Sequence, residues 1–375
     1  MRPTTVEIDL ESIGYNLKEI QKKVCPSKIM AVVKANAYGH GAAEVARCAL
    51  KNGAEYLAVA LLEEAIELRR HEIEAPVLIF GGELSDQIDE LLHYDFEITL
   101  YSLEMAKIIS EKALARKKKV SVHVKLDTGM GRVGVPYQSA AQFVETCYGM
   151  PGIEIKGIYT HFATSDEFDK KFANEQLYRF KQALKAIKNR NIHIQLIHAA
   201  NSGAILDMPD SYFNMVRPGI MMYGYYPSSE TSESVEIKPA MTLRSKIIHL
   251  KDVPVNTPVS YGRTYYTHEA TKIATIPIGY ADGYNRLLSN KGRVSIHGKS
   301  YPVAGRVCMD QILIDVGKDF DGKIGDEVIL FSPKTKANDF TVMDICNIIN
   351  TIPYEVCCWV SRRVPRIYKQ EFKTR

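Results

Sequence analysis

No apolar run in this chain approaches the ~18 residues of a membrane span, and none opens the sequence. Met-Arg-Pro-Thr-Thr-Val-Glu-Ile-Asp-Leu lacks the apolar core of a signal peptide. Charge of one sign is not in excess either. With 48 basic against 44 acidic residues, the net charge of +4 is too small and too dispersed for nucleic acid. Cysteine is sparse and unpatterned: seven residues, an odd number, with Cys357 and Cys358 adjacent and no C-x-x-C spacing. That argues against a disulfide framework and against a zinc site, so no metal is expected and a reducing cytoplasm fits best. Internal repeats and low-complexity segments are missing too. The Lys117–Lys119 run reads as a solvated helix end.

What is present is ordinary globular composition, 46% hydrophobic and 25% charged over 375 residues, enough for two domains or one large barrel with an addition. Short apolar runs at 29–34, 55–60, 77–80, 96–100, 119–126, 153–160, 192–198 and 212–217 alternate with helical patterns such as 62–71 and 168–190. This rhythm predicts an α/β fold, a (β/α)8 TIM-like barrel, rather than an open doubly wound sheet. Near Glu236–Pro239 the alternation stops. Strands are then expected at 241–250, 272–278, 293–298, 301–308, 311–315 and 326–331, with one helix over 341–350, as a mostly β C-terminal domain.

Active sites of such barrels gather at the C-terminal ends of the strands. Lys34 ends the first apolar run and opens onto the small residues of Ala-Asn-Ala-Tyr-Gly-His-Gly. A lysine there can be desolvated into a nucleophile or Schiff-base amine; on spacing alone, a snorkelling surface lysine is an equal alternative. Lys125 to Arg132 follows the fifth run, His161 ends the sixth, His198 to Ser202 follows the seventh and Arg217 ends the eighth. All fall on one predicted rim. His161 alone reads as a satisfied polar residue, whereas Arg217 in an apolar strand end must be paired or face a polar cavity. Gly129-Met-Gly-Arg-Val-Gly134 satisfies G-x-G-x-x-G, but Pro136 and Tyr137 follow and no helix opens inside it, which excludes a dinucleotide loop. The loops at Asn201–Ser202 and Gly219–Ile220 bracket the usual barrel phosphate site.

Val-Val-Lys-Ala-Asn-Ala-Tyr-Gly-His-Gly, Lys-Leu-Asp-Thr-Gly-Met-Gly-Arg-Val-Gly, Val-Arg-Pro-Gly-Ile and Val-Ser-Tyr-Gly together closely resemble the alanine racemases of fold-type III, which use pyridoxal 5'-phosphate (PLP). The resemblance implies that Lys34 carries the cofactor. It implies that Arg132 serves the cofactor's phenolic oxygen and the substrate carboxylate, with Lys125, carboxylated in some members, positioning it. Arg217 is implied to meet the pyridine nitrogen, hydrogen-bonded in turn to His161. An arginine there should leave that nitrogen unprotonated. Tyr38, Tyr354, Asn201, Ser202, Gly219 and Ile220 would hold the phosphate end. Tyr261 matches the catalytic tyrosine, and Tyr280, Met309 and Asp310 lie in the matching entrance and substrate segments.

The implied activity is interconversion of L- and D-alanine by two bases, Lys34 for the D-enantiomer and Tyr261 for the L-enantiomer, supplying D-alanine for peptidoglycan. A barrel over 11–238 and a β domain over 239–375, joined by the N-terminal strand within 1–10, are implied as well. So is a homodimer whose sites borrow Tyr261 and Met309 from the partner. Three alternatives remain at this point. A serine or broader amino-acid racemase is disfavoured by the bulk of Tyr354, and a non-catalytic PLP carrier would lack the β domain. A decarboxylase would need a β-domain cysteine in place, and Cys308 sits in racemase wording.

Overall fold

Each apolar run of the first two-thirds becomes a parallel strand: Lys28–Val32, Tyr56–Val59, Val77–Ile79, Glu97–Leu100, Val120–Asp127, Ile153–Tyr159, Leu196–His198 and Met215–Val216. The computed structural model describes residues 2–82, 85–335 and 337–369. Every strand pairs with the next, and the eighth returns to pair with the first, so the sheet closes into a barrel. Closure removes the unpaired edges an open sheet would present. Helix Lys171–Lys188 shows how the outer layer attaches. Its buried Ala173, Gln176, Leu177, Phe180, Ala183 and Ile187 repeat at three- and four-residue spacing, one stripe turned to the sheet. Residues 14–37 and 42–237 form this unit.

The barrel's interior is unusual in being polar. Glu97, Thr99, His123, Lys125, His198 and Arg217 are all buried. Thr99 reaches the Tyr159 hydroxyl at 2.9 Å, and His123 reaches His198 at 2.9 Å, although neither pair lies on neighbouring strands. Such contacts must cross the inside of the ring, where branched apolar layers usually sit.

The second unit comprises the residues up to Ile13, the segment Tyr38–Gly41 and everything from Lys238 on. Its six-stranded sheet holds Thr5–Asp9 between Met241–Lys246, antiparallel, and Arg366–Lys369, parallel. A three-stranded sheet joins His249–Val253, Thr271–Ile276 and Ile312–Asp315. Two expected strands come out differently. The 241–250 run breaks at Ile247–Ile248 into strands of two separate sheets. Of 301–308, strand structure covers only Lys299–Pro302 and a bridge at Val303. Gly305, at φ 82°, turns the rest out of the sheet. The Pro353–Trp359 stretch is a helix, with Pro353 at its first turn, where proline's missing N–H costs nothing.

Candidate active site

Lys34 lies two residues beyond the first barrel strand, at the head of a left-handed turn. Ala35, Asn36, Ala37 and Tyr38 hold φ of 52°, 53°, 53° and 50°. For residues with a Cβ this conformation costs roughly 1–2 kcal/mol each, so the surroundings must enforce it. The Ala37 N–H donates to the Val33 carbonyl at 2.8 Å, the Ala42 N–H to Asn36 Oδ1 at 2.9 Å, and the Ala35 N–H to Glu64. Backbone strain of this kind collects at functional sites.

The remaining barrel residues converge on the same end. Asp127 accepts from the N–H groups of Gly129 and Gly131 at 2.9 and 3.1 Å, folding the loop that carries the exposed Arg132. Arg132 has no ion-pair partner among the described residues. Lys125 is buried with its ammonium 5.6 Å from the Tyr159 ring centre. Desolvation, then Arg132 and Arg217, push it down to about 8, so a share of it is uncharged amine near neutrality. His161 feels all four cations: burial, then Arg217, Arg132, Lys125 and Lys34, hold its pKa well below the usual range. It is neutral.

Arg217 does not pair with His161 as the resemblance implied. Its Nη1 donates to His198 Nδ1 at 2.8 Å, and its Nη2 donates to the Thr160 and Ala199 carbonyls at 2.7 and 2.9 Å. The seventh strand delivers His198 beside the eighth, whereas His161 lies past the end of the sixth. Burial lowers the guanidinium to about 10, so it stays cationic at neutral pH. Three of its five N–H donors are used, which leaves Nε–H and one Nη1–H. At the loops after the seventh and eighth strands, Ser202 Oγ accepts from the Gly219 and Met221 N–H groups at 3.0 and 3.5 Å. Asn201 is shown as a helix cap: its Oδ1 accepts from the Ala204 N–H at 3.1 Å and from Ser165 Oγ at 2.8 Å. Ile220 is buried and opens a 3-10 turn behind Gly219.

In the β unit the candidate residues gather by a different route. Tyr38 and Tyr354 face each other with ring centres 5.9 Å apart. Tyr261 sits on a turn in which Ser260, Gly262 and Arg263 all have positive φ, at 64°, 69° and 48°. Ser260 Oγ donates to the Arg306 carbonyl at 2.6 Å and lies 3.6 Å from Cys308 Sγ. The Tyr280 N–H donates to the Cys308 carbonyl and the Ala281 N–H to the Met309 carbonyl, at 3.0 and 3.1 Å. Tyr261, Tyr280 and Met309 therefore surround Cys308, and they are 69%, 42% and 52% exposed. Beneath them the buried Asp282 takes both Nη groups of Arg2 at 2.6 Å. Arg363 spans from Asp282 at 3.4 Å to Asp310 at 2.7 Å. Sequence reasoning missed the roles of Glu97, His123 and Asp282. A signal for His123 exists: His123, Lys125 and Asp127 alternate along one strand, the period-2 mark of a polar face where an apolar one is expected.

A barrel with a cationic mouth, followed by a β unit presenting tyrosines, suits a site for a small anionic ligand. The comparisons narrow it. The alanine racemase N-terminal domain model matches residues 8–227 and the C-terminal domain model residues 240–368. Alanine racemase 2 of Caldanaerobacter subterraneus is 49% identical over 370 residues, covering 98% of this chain and 95% of that one. The solved alanine racemase of Clostridium difficile superposes with a TM-score of 0.94 at 41% identity, covering 98% of this chain and 96% of the other. The Bartonella henselae alanine racemase, solved with covalently bound pyridoxal phosphate, superposes at 0.87 with 29% identity, covering 98% and 100%. The chain belongs to the alanine racemase family. Its reaction is the interconversion of L- and D-alanine.

Proposed function

We propose that this chain racemises alanine with PLP held at the barrel mouth, using Lys34 and Tyr261 as its two bases. The observation that carries the reading is the set of four cations, Lys34, Lys125, Arg132 and Arg217, acting on one neutral histidine. Such a donor set suits a ligand with a phosphate, a phenolic oxygen and a substrate carboxylate. Arg217, with two N–H donors unspent, suits a ring nitrogen that accepts. Ser202, Gly219 and Ile220, with Asn201 shaping their loop and Tyr38 and Tyr354 in the β unit, would take the phosphate. Bound there, PLP supplies the electron sink for the charge left when the α-proton departs.

The chain's own residues do the rest. Lys34 Nζ holds the cofactor and exchanges a proton on the D-alanine side. Tyr261 Oη exchanges one on the L-alanine side, because inversion needs opposite faces and one rigid side chain cannot serve both. Of His161 and Arg217, Arg217 is the cation at neutral pH and the one that can favour the Tyr261 phenolate. Arg132 binds the substrate carboxylate. Lys125 positions it, and its uncharged amine fraction can take up carbon dioxide as a carbamate. Met309, Tyr280 and Asp310 shape the substrate side.

The exposure of Tyr261, Tyr280 and Met309 supports a homodimer with shared sites. No helix among the described residues is long and apolar enough to cross a membrane; a cytoplasmic supply of D-alanine for peptidoglycan is the role we assign. Loss of optical rotation of L-alanine, with L-serine alongside, tests reaction and substrate. Borohydride reduction should fix pyridoxal to the Lys34 peptide, and labelling of another lysine would overturn the cofactor assignment. Mixing inactive Lys34→Ala and Tyr261→Ala proteins should restore activity. No recovery despite demonstrated subunit exchange would rule out shared sites.

A further inference from the structure

Behind Arg217 a hydrogen-bonded file runs across the barrel interior to a carboxylate on the fourth strand. His198 Nε2 lies 2.9 Å from His123 Nδ1, and His123 Nε2 lies 2.7 Å from Glu97 Oε2. The second oxygen of Glu97 accepts from Lys156. Glu97, His123, His198 and Arg217 are all buried, at 5%, 0%, 0% and 4% exposure. Water cannot stand in for a missing partner.

Only one arrangement of protons satisfies this file. Burial pushes the Glu97 carboxyl up, but hydrogen bonds from His123 and Lys156 outweigh it and leave it below its usual range, so Glu97 is ionised and can only accept. His123 must then carry its proton on Nε2. Burial lowers its pKa despite Glu97, so the ring is neutral and Nδ1 is an acceptor. His198, also neutral through burial and the charge of Arg217, must donate from Nε2 and accept at Nδ1. Arg217, which can only donate, fills that acceptor. The two ends of the file agree: Arg217 can only donate and Glu97 can only accept, so the ring beside the arginine offers it a lone pair and not a proton.

A second feature of the backbone serves the same contact. A Cβ at Gly157 would lie 2.2 Å from His123 Nδ1, the atom that receives the His198 proton. Its φ is not positive, so glycine is required there for space alone.

We propose that Glu97 is a positioning residue for racemisation. Acting through His123 and His198, it fixes the proton of His123 and anchors the far end of the file, and so holds Arg217 as an oriented donor behind the barrel mouth. The link to rate rests on the function proposed above; the proton file does not. Neutron diffraction from the holoenzyme should show deuterium on Nε2 and none on Nδ1 of both histidines. Deuterium on His198 Nδ1, or on both nitrogens of either ring, would overturn the file whatever the activity.

Glu97→Gln keeps the shape but can donate as well as accept, so it removes the direction at His123, while Arg217 still fills Nδ1 of His198. Its crystals should show mixed deuterium occupancy at His123, with kcat down about tenfold, KM for alanine within about twofold and an altered pH–kcat profile. Gly157→Ala, whose Cβ would displace the His123 ring from its neighbours while leaving the Glu97 side chain itself unaltered, should give the same kinetic pattern. Mixed occupancy with kcat and its pH profile unchanged would overturn the positioning role. A wild-type holoenzyme that fails to racemise alanine would instead remove the proposed function, leaving neutron density to decide the file.

Discussion

The two units hold their candidate residues by opposite means. In the barrel Arg217 is buried and paired, 4% exposed and bonded to a histidine and two carbonyls. In the β unit Tyr261, Tyr280 and Met309 stand out from the surface, held by positive-φ turns and by hydrogen bonds from the backbone behind them. A buried polar group is oriented by what it would lose without partners, about 1–3 kcal/mol each. An exposed one loses little by moving, so its backbone must do the orienting. Changing a buried and paired residue such as Arg217 should therefore cost both stability and activity, and changing the exposed residues activity alone.

The largest test of that contrast is at Lys34. Lys34→Ala should lower racemisation by about 10⁴-fold, the upper range for a lost acid–base group, with borohydride labelling of that peptide abolished. Tyr261→Phe should lower α-hydrogen exchange from L-alanine in deuterated water by ~10²-fold, and from D-alanine far less. With the side chain 69% exposed, Tm should not change. An equal fall for both enantiomers would reject the two-base assignment. A lowered Tm would break the contrast between the units.

The same contrast decides what could be read from sequence. Barrel strands lie within a few residues of the apolar runs, because a strand buried on both faces must be apolar throughout. Arg217 stands out because a charge in an apolar strand end is costly, whereas Lys34 and His161 are marked by their place on one predicted rim. The partner of Arg217 does not stand out, because spacing along the chain cannot say whether the sixth- or seventh-strand histidine lies beside it. Tyr261 was legible only by resemblance, since a tyrosine in a β unit carries no physical mark of catalysis. The Asp282 clamp was invisible altogether: Arg2, Asp282 and Arg363 are brought together from both ends of the chain.

That clamp is the next test. Asp282 is wholly buried and answers Arg2 in a bidentate pair, and its Oδ2 also accepts from the Gly279 N–H at 3.1 Å. Asp282→Ala should cost about 3 kcal/mol in urea unfolding, the low end for breaking a buried pair, because Arg2 keeps some contact with water. The Tyr280 and Met309 segments lean on that turn, so kcat/KM should fall severalfold. Unchanged kcat/KM with lowered stability would show that the clamp holds the unit and not its substrate side.

The smallest effect is expected at Lys125, and its sign shows whether burial and the neighbouring cations hold the amine below its ordinary range. The amine is held near 8 in the folded chain against a reference of 10.5, first by desolvation and then by Arg132 and Arg217. Below pH 8 both folded and unfolded chains keep the proton, and the folded state carries the full cost of a buried ammonium. Between 8 and 10.5 the unfolded chain binds more protons than the folded one, so stability from this residue rises with pH. Lys125→Met keeps the length of the side chain and has no proton to lose. The stability advantage of Lys125→Met over wild type should therefore be constant from pH 6 to 7. By pH 9 it should shrink by about 1.4 kcal/mol, one pKa unit's worth. Urea titrations at pH 6, 7, 8 and 9 measure this, within a range where ordinary lysines do not yet titrate. An advantage that stays flat to pH 9 would show that Lys125 does not titrate as a buried amine, and would remove desolvation as the force that sets its charge.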